Sequence, residues 1–119
     1  MIARSPTHVL LEMRDALEGI QQATVGKTFE QFRDDWVLRH AVQRGIEIIS
    51  EASRHLPDEL LETQPQIPWR SIKGVGNLLR HEYHKIADRI IWAVVTDHLP
   101  QLRLAVAAMI MNATAPVSA

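Results

Sequence analysis

The sequence predicts a small all-α protein, a four- to five-helix bundle that forms a single domain over residues 1–119. Apolar residues recur at intervals of three and four along most of the chain, which is the spacing of helices that bury one face. No stretch alternates apolar and polar residues as a half-buried strand does. The 119 residues, 46% of them hydrophobic, are enough to form one core and argue against a disordered chain.

The composition excludes several functional classes. The formal net charge of -1 is not that of a uniformly basic nucleic-acid-binding protein, although one face can still be basic. The absence of cysteine excludes disulfides, thiolate catalysis and cysteine-ligated zinc. The N-terminus lacks a signal-peptide pattern and no apolar run is long enough to cross a membrane, so we expect a cytoplasmic protein with no membrane partner.

Two helices are predicted in the first half of the chain. Ser5 and Pro6 are an N-cap and a first-turn proline, and the helix they open is expected to end near Gly26. Thr28 and Gln31 form a capping-box pattern at the start of a long second helix over about 29–54. The apolar surface of this helix is wide, which predicts a central helix with more than one neighbour. That surface includes Phe29, Phe32, Trp36, Val37, Leu38, Val42 and Ile49.

Prolines divide the middle of the chain. Pro57 ends the second helix, and residues 58–62 are expected to form one or two turns. Residues 64–68 contain two prolines and are predicted to be a loop, because a proline pushes the residue before it towards an extended conformation. The third major helix is expected to start at Pro68 or Trp69 and to reach about His84.

The last third of the chain predicts a fourth helix. Asp88 is its expected N-cap, and apolar residues continue the helical spacing to Leu99. Pro100 is predicted to kink or interrupt the helix before the apolar pattern resumes. Residues 113–119 are expected to form a flexible tail.

Polar residues on the third helix form a basic ridge. At about 100° per residue they fall within about a third of the helix circumference. Asn77 and His81 are one turn apart, so both side chains can meet the same ligand. The basic ridge comprises Arg70, Lys73, Asn77, Arg80, His81 and His84.

The basic ridge has two interpretations. A charged stripe on a bundle helix is most often a solvated face. Alternatively, histidine is an acid–base group near neutral pH and arginine binds phosphate, which together suit RNA cleavage without a metal ion. His81 and His84 have a spacing that zinc pairs use, but no third ligand follows at a suitable spacing, so no metal site is predicted.

A second polar stripe lies on the long helix. Steps of three and four place Trp36, His40, Arg44, Glu47 and Glu51 on one face. The carboxylates of this stripe can pair with Arg44 or with the basic ridge across the bundle, and a solvated face is an equally good interpretation. We take Arg44 and Glu51 as supporting residues of the candidate site.

Two segments resemble a known protein family. Residues 67–72 read IPWRSI and residues 76–83 read GNLLRHEY. They resemble the HepT-like branch of the HEPN superfamily, in which a tryptophan-containing lead-in precedes an Arg-Asn pair and a His-x-Tyr end. Residues 28–32 and 88–92 are similar to other parts of the family pattern, and 48–52 resemble its Gly-Glu-Ala signature with Ser50 in place of the glycine.

The resemblance implies a specific function. Members of this family are homodimeric helical bundles that act as metal-independent endoribonuclease toxins, with the motif residues of two subunits in a cleft at the dimer interface. Their usual partner is an MNT-type nucleotidyltransferase antitoxin, which can add AMP to the motif tyrosine. Asn77, His81 and Tyr83 match the motif, so the resemblance predicts His81 as acid–base group, Asn77 as orienting residue and Tyr83 as the modification site. No cofactor is expected.

One residue departs from the family motif. Gly76 stands where the family has its arginine, and a glycine cannot bind phosphate. Arg80 is therefore assigned as the phosphate cation, with Arg70, Lys73 and His84 as further RNA-binding residues. Gly74 and Gly76 would also allow another helix to approach closely. Three hypotheses follow: a ribonuclease toxin, a catalytically impaired binding module that partners a nucleotidyltransferase, and a purely structural bundle.

Overall fold

The computed structural model describes residues 5–82 and 86–114, and every regular element in these ranges is helical. The predicted all-α bundle is therefore confirmed. None of the described helices is both long and apolar enough to cross a membrane. The helices are α1 (Pro6–Thr24), α2 (Phe29–Arg33), α3 (Trp36–Ser53), α4 (Asp58–Leu61), α5 (Trp69–Glu82), α6 (Asp88–Ala93) and α7 (Leu99–Thr114), and a π-helical segment, Val94–His98, joins α6 to α7.

The predicted helix starts near the N-terminus are confirmed by their capping hydrogen bonds. The Ser5 hydroxyl accepts a bond from the backbone N–H of His8 at 3.2 Å. At α2, the Thr28 hydroxyl accepts from the Gln31 N–H at 3.1 Å, and the Gln31 side chain accepts from the Thr28 N–H at 2.8 Å. Each bond satisfies a backbone donor that has no partner inside its own helix.

The prediction of one helix over 29–54 is wrong, because the chain breaks between α2 and α3. Asp35 is extended there, and its carboxylate caps α3 by accepting from the Leu38 N–H at 3.0 Å. Arg33 donates two bonds to the Asp34 carboxylate, which holds the pKa of Asp34 below its usual value. The break ends the expected apolar stripe, so that Phe32 is buried whereas Trp36 is 64% exposed.

Helix α3 is the centre of the bundle, as predicted. It packs on α1 and on α5, and α1 packs in turn on α7. Helix α2 packs on α6 through the rings of Phe32 and Trp92, whose centroids are 5.1 Å apart. The most completely buried apolar residues include Val9, Leu10, Met13, Leu17, Phe32, Val42, Val106 and Met109. This core fixes α3 and so determines which face of α5 remains outside.

The segment before α5 is held by a tryptophan. The indole Nε1 of Trp69 donates to the backbone oxygens of Leu61 and Gln64, each at 3.1 Å. These bonds tie the start of α5 to the end of α4 and to the proline-containing loop. The one-turn helix and the loop were both predicted, whereas the predicted end of α5 near His84 lies outside the described residues.

The fourth helix differs from the prediction in two details. Ala87 occupies the N-cap position of α6, so Asp88 lies in the first turn and is not the cap. The irregular turn precedes Pro100, because the π-helical segment ends at His98 and α7 begins at Leu99. A proline ring clashes with the carbonyl four residues earlier in a regular α-helix, and a wider turn at that point relieves the clash. Helix α7 includes residues 113 and 114 of the predicted tail, and the rest of the tail lies outside the described residues.

Candidate functional site

Helix α5 carries the polar residues that the sequence singled out. Asn77 and His81 are both exposed and lie one turn apart on this helix. Tyr83 and His84, the predicted modification site and a predicted RNA-binding residue, lie outside the described residues. An exposed histidine can exchange protons with a bound ligand, and an exposed amide beside it can hydrogen-bond the same ligand.

Arg80 lies in a pocket between α1, α3 and α5. The pocket measures about 300 Å³ and brings Arg80 together with both predicted supporting residues, Arg44 and Glu51. Neither Asn77 nor His81 is among the residues that line it. We call it the α1–α3–α5 pocket, and its lining consists of Glu12, Arg44, Glu47, Ile48, Glu51, Ala52 and Arg80. The basic ridge and the polar stripe of α3 therefore meet at Arg80 and not at His81.

Carboxylates outnumber positively charged groups in the lining of the α1–α3–α5 pocket. Three glutamates face two arginines, so the pocket has a net negative formal charge. Arg44 pairs with Glu47 at 3.1 Å, as predicted, and Glu51 lies 3.5 Å from His55. The Glu47 side chain is only 19% exposed, so its charge is poorly screened by solvent. A phosphate bound near Arg80 would also meet these carboxylates, which weakens Arg80 as a phosphate clamp.

Gly76 is buried in the contact between α5 and α3. A Cβ atom at this position would lie 2.7 Å from the Ser50 Oγ and 2.8 Å from the Ser50 Cβ. Real Cβ atoms do not approach other heavy atoms so closely, so the contact requires a glycine. Gly74 has no atom near its Cβ position and is exposed. The predicted packing role is therefore confirmed for Gly76 and wrong for Gly74.

Ser50 and Arg54 fasten α5 to α3. The Ser50 hydroxyl accepts a bond from the Gly76 N–H at 3.0 Å and donates to the Lys73 backbone oxygen at 3.1 Å. The same oxygen accepts two bonds from the Arg54 guanidinium, at 2.9 and 2.7 Å. Sequence analysis missed Arg54, which follows the polar stripe of α3 by one further step of three. For Ser50 the sequence did contain a signal, because this residue stands where the family signature has a glycine.

The predicted RNA-binding residues Arg70 and Lys73 line a different surface. They share an open groove of about 450 Å³ with the indole of Trp69 and with two acidic residues, Asp58 and Glu62. The structure therefore brings Arg70 and Lys73 together but separates them from the pocket that holds Arg80. Among the described residues, no three histidine, aspartate or glutamate side chains are arranged to hold a metal ion.

His40 has a packing role at the start of α3. Its ring stacks on that of Trp36, with centroids 3.9 Å apart, and its Nδ1 lies 2.7 Å from the Trp36 backbone oxygen. These contacts within the helix explain why Trp36 and His40 lie side by side on the polar stripe, and no ligand is needed to explain it. Trp36 and His40 are absent from the α1–α3–α5 pocket, so the part of the stripe that reaches Arg80 begins at Arg44.

The fold and this surface define a class, the small helical bundles that carry an Asn/His motif on one helix. The family described as Ribonuclease HepT-like matches residues 13–109, and the chain belongs to this family. This confirms the resemblance that the motif of α5 predicted. The match includes Asn77, Arg80 and His81 as well as all of α3.

Similar proteins that are named as ribonucleases are consistent with this family. "Putative RNase TTE0752" of Caldanaerobacter subterraneus is 38% identical over 95 residues, which cover 80% of this chain and 81% of that protein. "Probable ribonuclease HepT" of Thermococcus cleftensis is 34% identical over 100 residues, 84% of this chain and 91% of that protein. "Putative RNase MJ1380" of Methanocaldococcus jannaschii is 28% identical over 103 residues, 87% of this chain and 94% of that protein. No solved structure matches the chain.

Proposed function

We propose that the protein is a metal-independent endoribonuclease of the toxin type in which His81 is the acid–base group. The observation that carries this proposal is the exposed pair of Asn77 and His81 on one face of α5, in a chain of the HepT-like ribonuclease family. The relatives that are named as RNases or ribonucleases support this reaction class.

The reaction needs only side chains and RNA. A histidine removes the proton of a ribose 2′-hydroxyl, and the resulting oxygen attacks the neighbouring phosphorus atom. The P–O bond to the 5′-oxygen breaks, and the protonated histidine returns the proton to that oxygen as it leaves, so the products are a 2′,3′-cyclic phosphate and a 5′-hydroxyl. In this scheme His81 is the histidine that accepts and returns the proton. Asn77 hydrogen-bonds the ribose or the phosphate, and Arg80 contributes positive charge at longer range.

A second function is favoured by the surroundings of Arg80 and Gly76. Arg80, the arginine next to His81 in sequence, lines a pocket with three glutamates, and the position of the family's arginine is held by Gly76, which is enclosed by Ser50. These contacts favour a helical binding module that has lost cleavage and keeps its partners. Under both functions we propose a cytoplasmic homodimer that pairs with an MNT-type nucleotidyltransferase, with Tyr83 as the acceptor of AMP.

One experiment separates the two functions. The purified chain is incubated with total RNA in EDTA, and with a single-stranded oligonucleotide made as RNA and as DNA. We expect the RNA strand to be cut, leaving 2′,3′-cyclic phosphate ends, and the DNA strand to stay intact because it lacks the attacking hydroxyl. Intact RNA together with measurable RNA binding would support the binding module and refute the ribonuclease.

We expect Arg80→Gln to lower the rate of RNA cleavage by roughly tenfold, because it removes a charge that acts on the phosphate while the acid–base group remains. The effect is moderate because the carboxylates of the α1–α3–α5 pocket already offset the charge of Arg80. Single-turnover cleavage of a labelled RNA measures the change. Arg14→Gln, on the opposite side of α1 facing α7, is the matched control and should leave the rate unaltered. A rate for Arg80→Gln equal to that of the control would remove Arg80 from the site.

A further inference from the structure

An open groove beside the start of α5 combines an aromatic ring with charges of both signs. It measures about 450 Å³ and lies between α4, the proline-containing loop and the first turns of α5. Asp58 and Glu62 come from α4 and its C-cap, whereas Trp69, Arg70 and Lys73 come from α5. In the described part of the chain, none of the four charged side chains of the groove forms an ion pair. Two cations and two carboxylates therefore remain available to a bound molecule.

The indole of Trp69 is a fixed apolar surface of this groove. Its Nε1 already donates to two backbone oxygens, each at 3.1 Å, so the ring is held in place and offers its carbon atoms to a ligand. The helix that carries the ring is fixed as well, because the Lys73 carbonyl accepts bonds from Ser50 and Arg54. Aromatic side chains of this kind are surfaces on which the bases of single-stranded nucleic acids stack.

The groove is in line with Asn77 and His81. At about 100° per residue, Arg70, Asn77 and His81 lie within about 40° of one another on α5, and all three are exposed. One stripe of the helix therefore leads from the groove to the proposed acid–base group. The helical rise separates Arg70 from His81 by about 16 Å along the axis. An RNA strand whose reacting phosphate lies at His81 would place a base in the groove a few nucleotides away.

We propose that this groove binds a guanine base of the single-stranded RNA substrate, an inference that rests on the proposed function. Guanine is the RNA base whose Watson–Crick edge presents two adjacent donors, N1–H and the 2-amino group, and one carboxylate can accept from both. Uracil presents one N–H between two carbonyl oxygens, which a carboxylate repels. In the groove the base stacks on Trp69, Asp58 and Glu62 supply the accepting carboxylate, and Arg70 and Lys73 pair with the adjoining phosphates.

The first arm of the test measures the choice of base. Labelled 2′-O-methyl oligoadenylates that contain one central guanine, inosine or adenine are titrated with the chain in EDTA, and binding is followed by fluorescence anisotropy. No 2′-hydroxyl mechanism can cleave these strands. We expect the guanine strand to bind roughly tenfold more tightly than the inosine strand, which lacks only the 2-amino donor, because hydrogen bonds to a charged group are strong. Equal affinities for the three strands would overturn the guanine site.

The second arm removes the carboxylates. Asp58→Ala/Glu62→Ala should bind the guanine and inosine strands equally, and should bind the inosine strand at least as tightly as the wild-type chain does, because two charges that repel phosphate are gone. Glu30→Ala/Glu59→Ala is the matched control, since it removes the same charge from exposed positions outside the groove and should keep the preference for guanine. A preference that survives the loss of Asp58 and Glu62 would overturn their role.

The third arm removes the cations one at a time. Arg70→Gln and Lys73→Gln should each weaken binding of the guanine and inosine strands by the same factor, because a phosphate contact does not depend on the base. Each change should also lower the slope of log affinity against log salt concentration by roughly 0.7. Arg14→Gln, which lies in the pocket facing α7, is the control and should alter neither quantity. Unaltered affinities and slopes for both groove variants would overturn the assignment of Arg70 and Lys73.

The guanine site and the proposed ribonuclease can fail independently, because the binding strands are not substrates. A chain that prefers the guanine strand but leaves RNA uncut in EDTA has this site and is not the proposed ribonuclease. A chain that cuts RNA but binds the three strands equally is a ribonuclease without this site.

Discussion

His81→Ala is expected to abolish RNA cleavage, with a fall in rate of about 10²–10⁴-fold, which is the usual contribution of a positioned acid–base group. His81 is exposed on α5, so its loss removes the proton acceptor without opening a hole in the core. Unfolding of the variant should therefore match that of the wild-type chain. Single-turnover cleavage of a labelled RNA in EDTA measures the rate.

His98→Ala is the matched control for this prediction. His98 is also an exposed histidine, but it lies in the π-helical segment beside a separate, mainly apolar groove. The control variant should cleave at the wild-type rate. If His81→Ala also cleaved at that rate while remaining folded, His81 would not be the acid–base group, and the activity would need another source.

Phe32→Ala is expected to cost about 3–5 kcal/mol of unfolding free energy, the usual range for a buried phenylalanine. Phe32 has no exposed surface, and its ring contacts that of Trp92. The substitution leaves a cavity where α2 packs on α6. Chemical denaturation, extrapolated to zero denaturant, measures the loss.

Leu104→Ala provides the comparison for the core prediction. Leu104 is 74% exposed on α7, so the same kind of truncation should change the unfolding free energy by less than about 0.5 kcal/mol. A loss at Phe32 no larger than that at Leu104 would mean that α2 contributes little to the stability of the bundle.

The helices were predictable where capping side chains and apolar spacing agree. Ser5, Thr28 and Gln31 mark helix starts through bonds that reach only three residues along the chain, so the local sequence contains all the information needed. The break before α3 was not predictable in the same way. Apolar spacing continues across it, and Asp35 is as compatible with an exposed position in a helix as with a cap.

The position of the site on α5 was predictable, but the direction of Arg80 was not. Periodicity places Asn77, Arg80 and His81 on one broad face, yet neighbouring residues on a helix differ in direction by about 100°. Which of them meets α3 depends on how α5 is rotated about its axis. Contacts between residues far apart in sequence determine that rotation, among them the bond from the Gly76 N–H to the Ser50 hydroxyl 26 positions away, and no local pattern reveals them.

The contact between Ser50 and Gly76 makes the residue allowed at one position depend on the residue at the other. A single change that restores a side chain at position 76 meets the Cβ of Ser50 and produces a strained protein. A change of Ser50 to glycine would remove that obstruction and two hydrogen bonds with it, while the Arg54 guanidinium would still donate to the Lys73 carbonyl. A Cβ atom at position 76 therefore fits without a shift of either helix only if position 50 has no Cβ atom of its own.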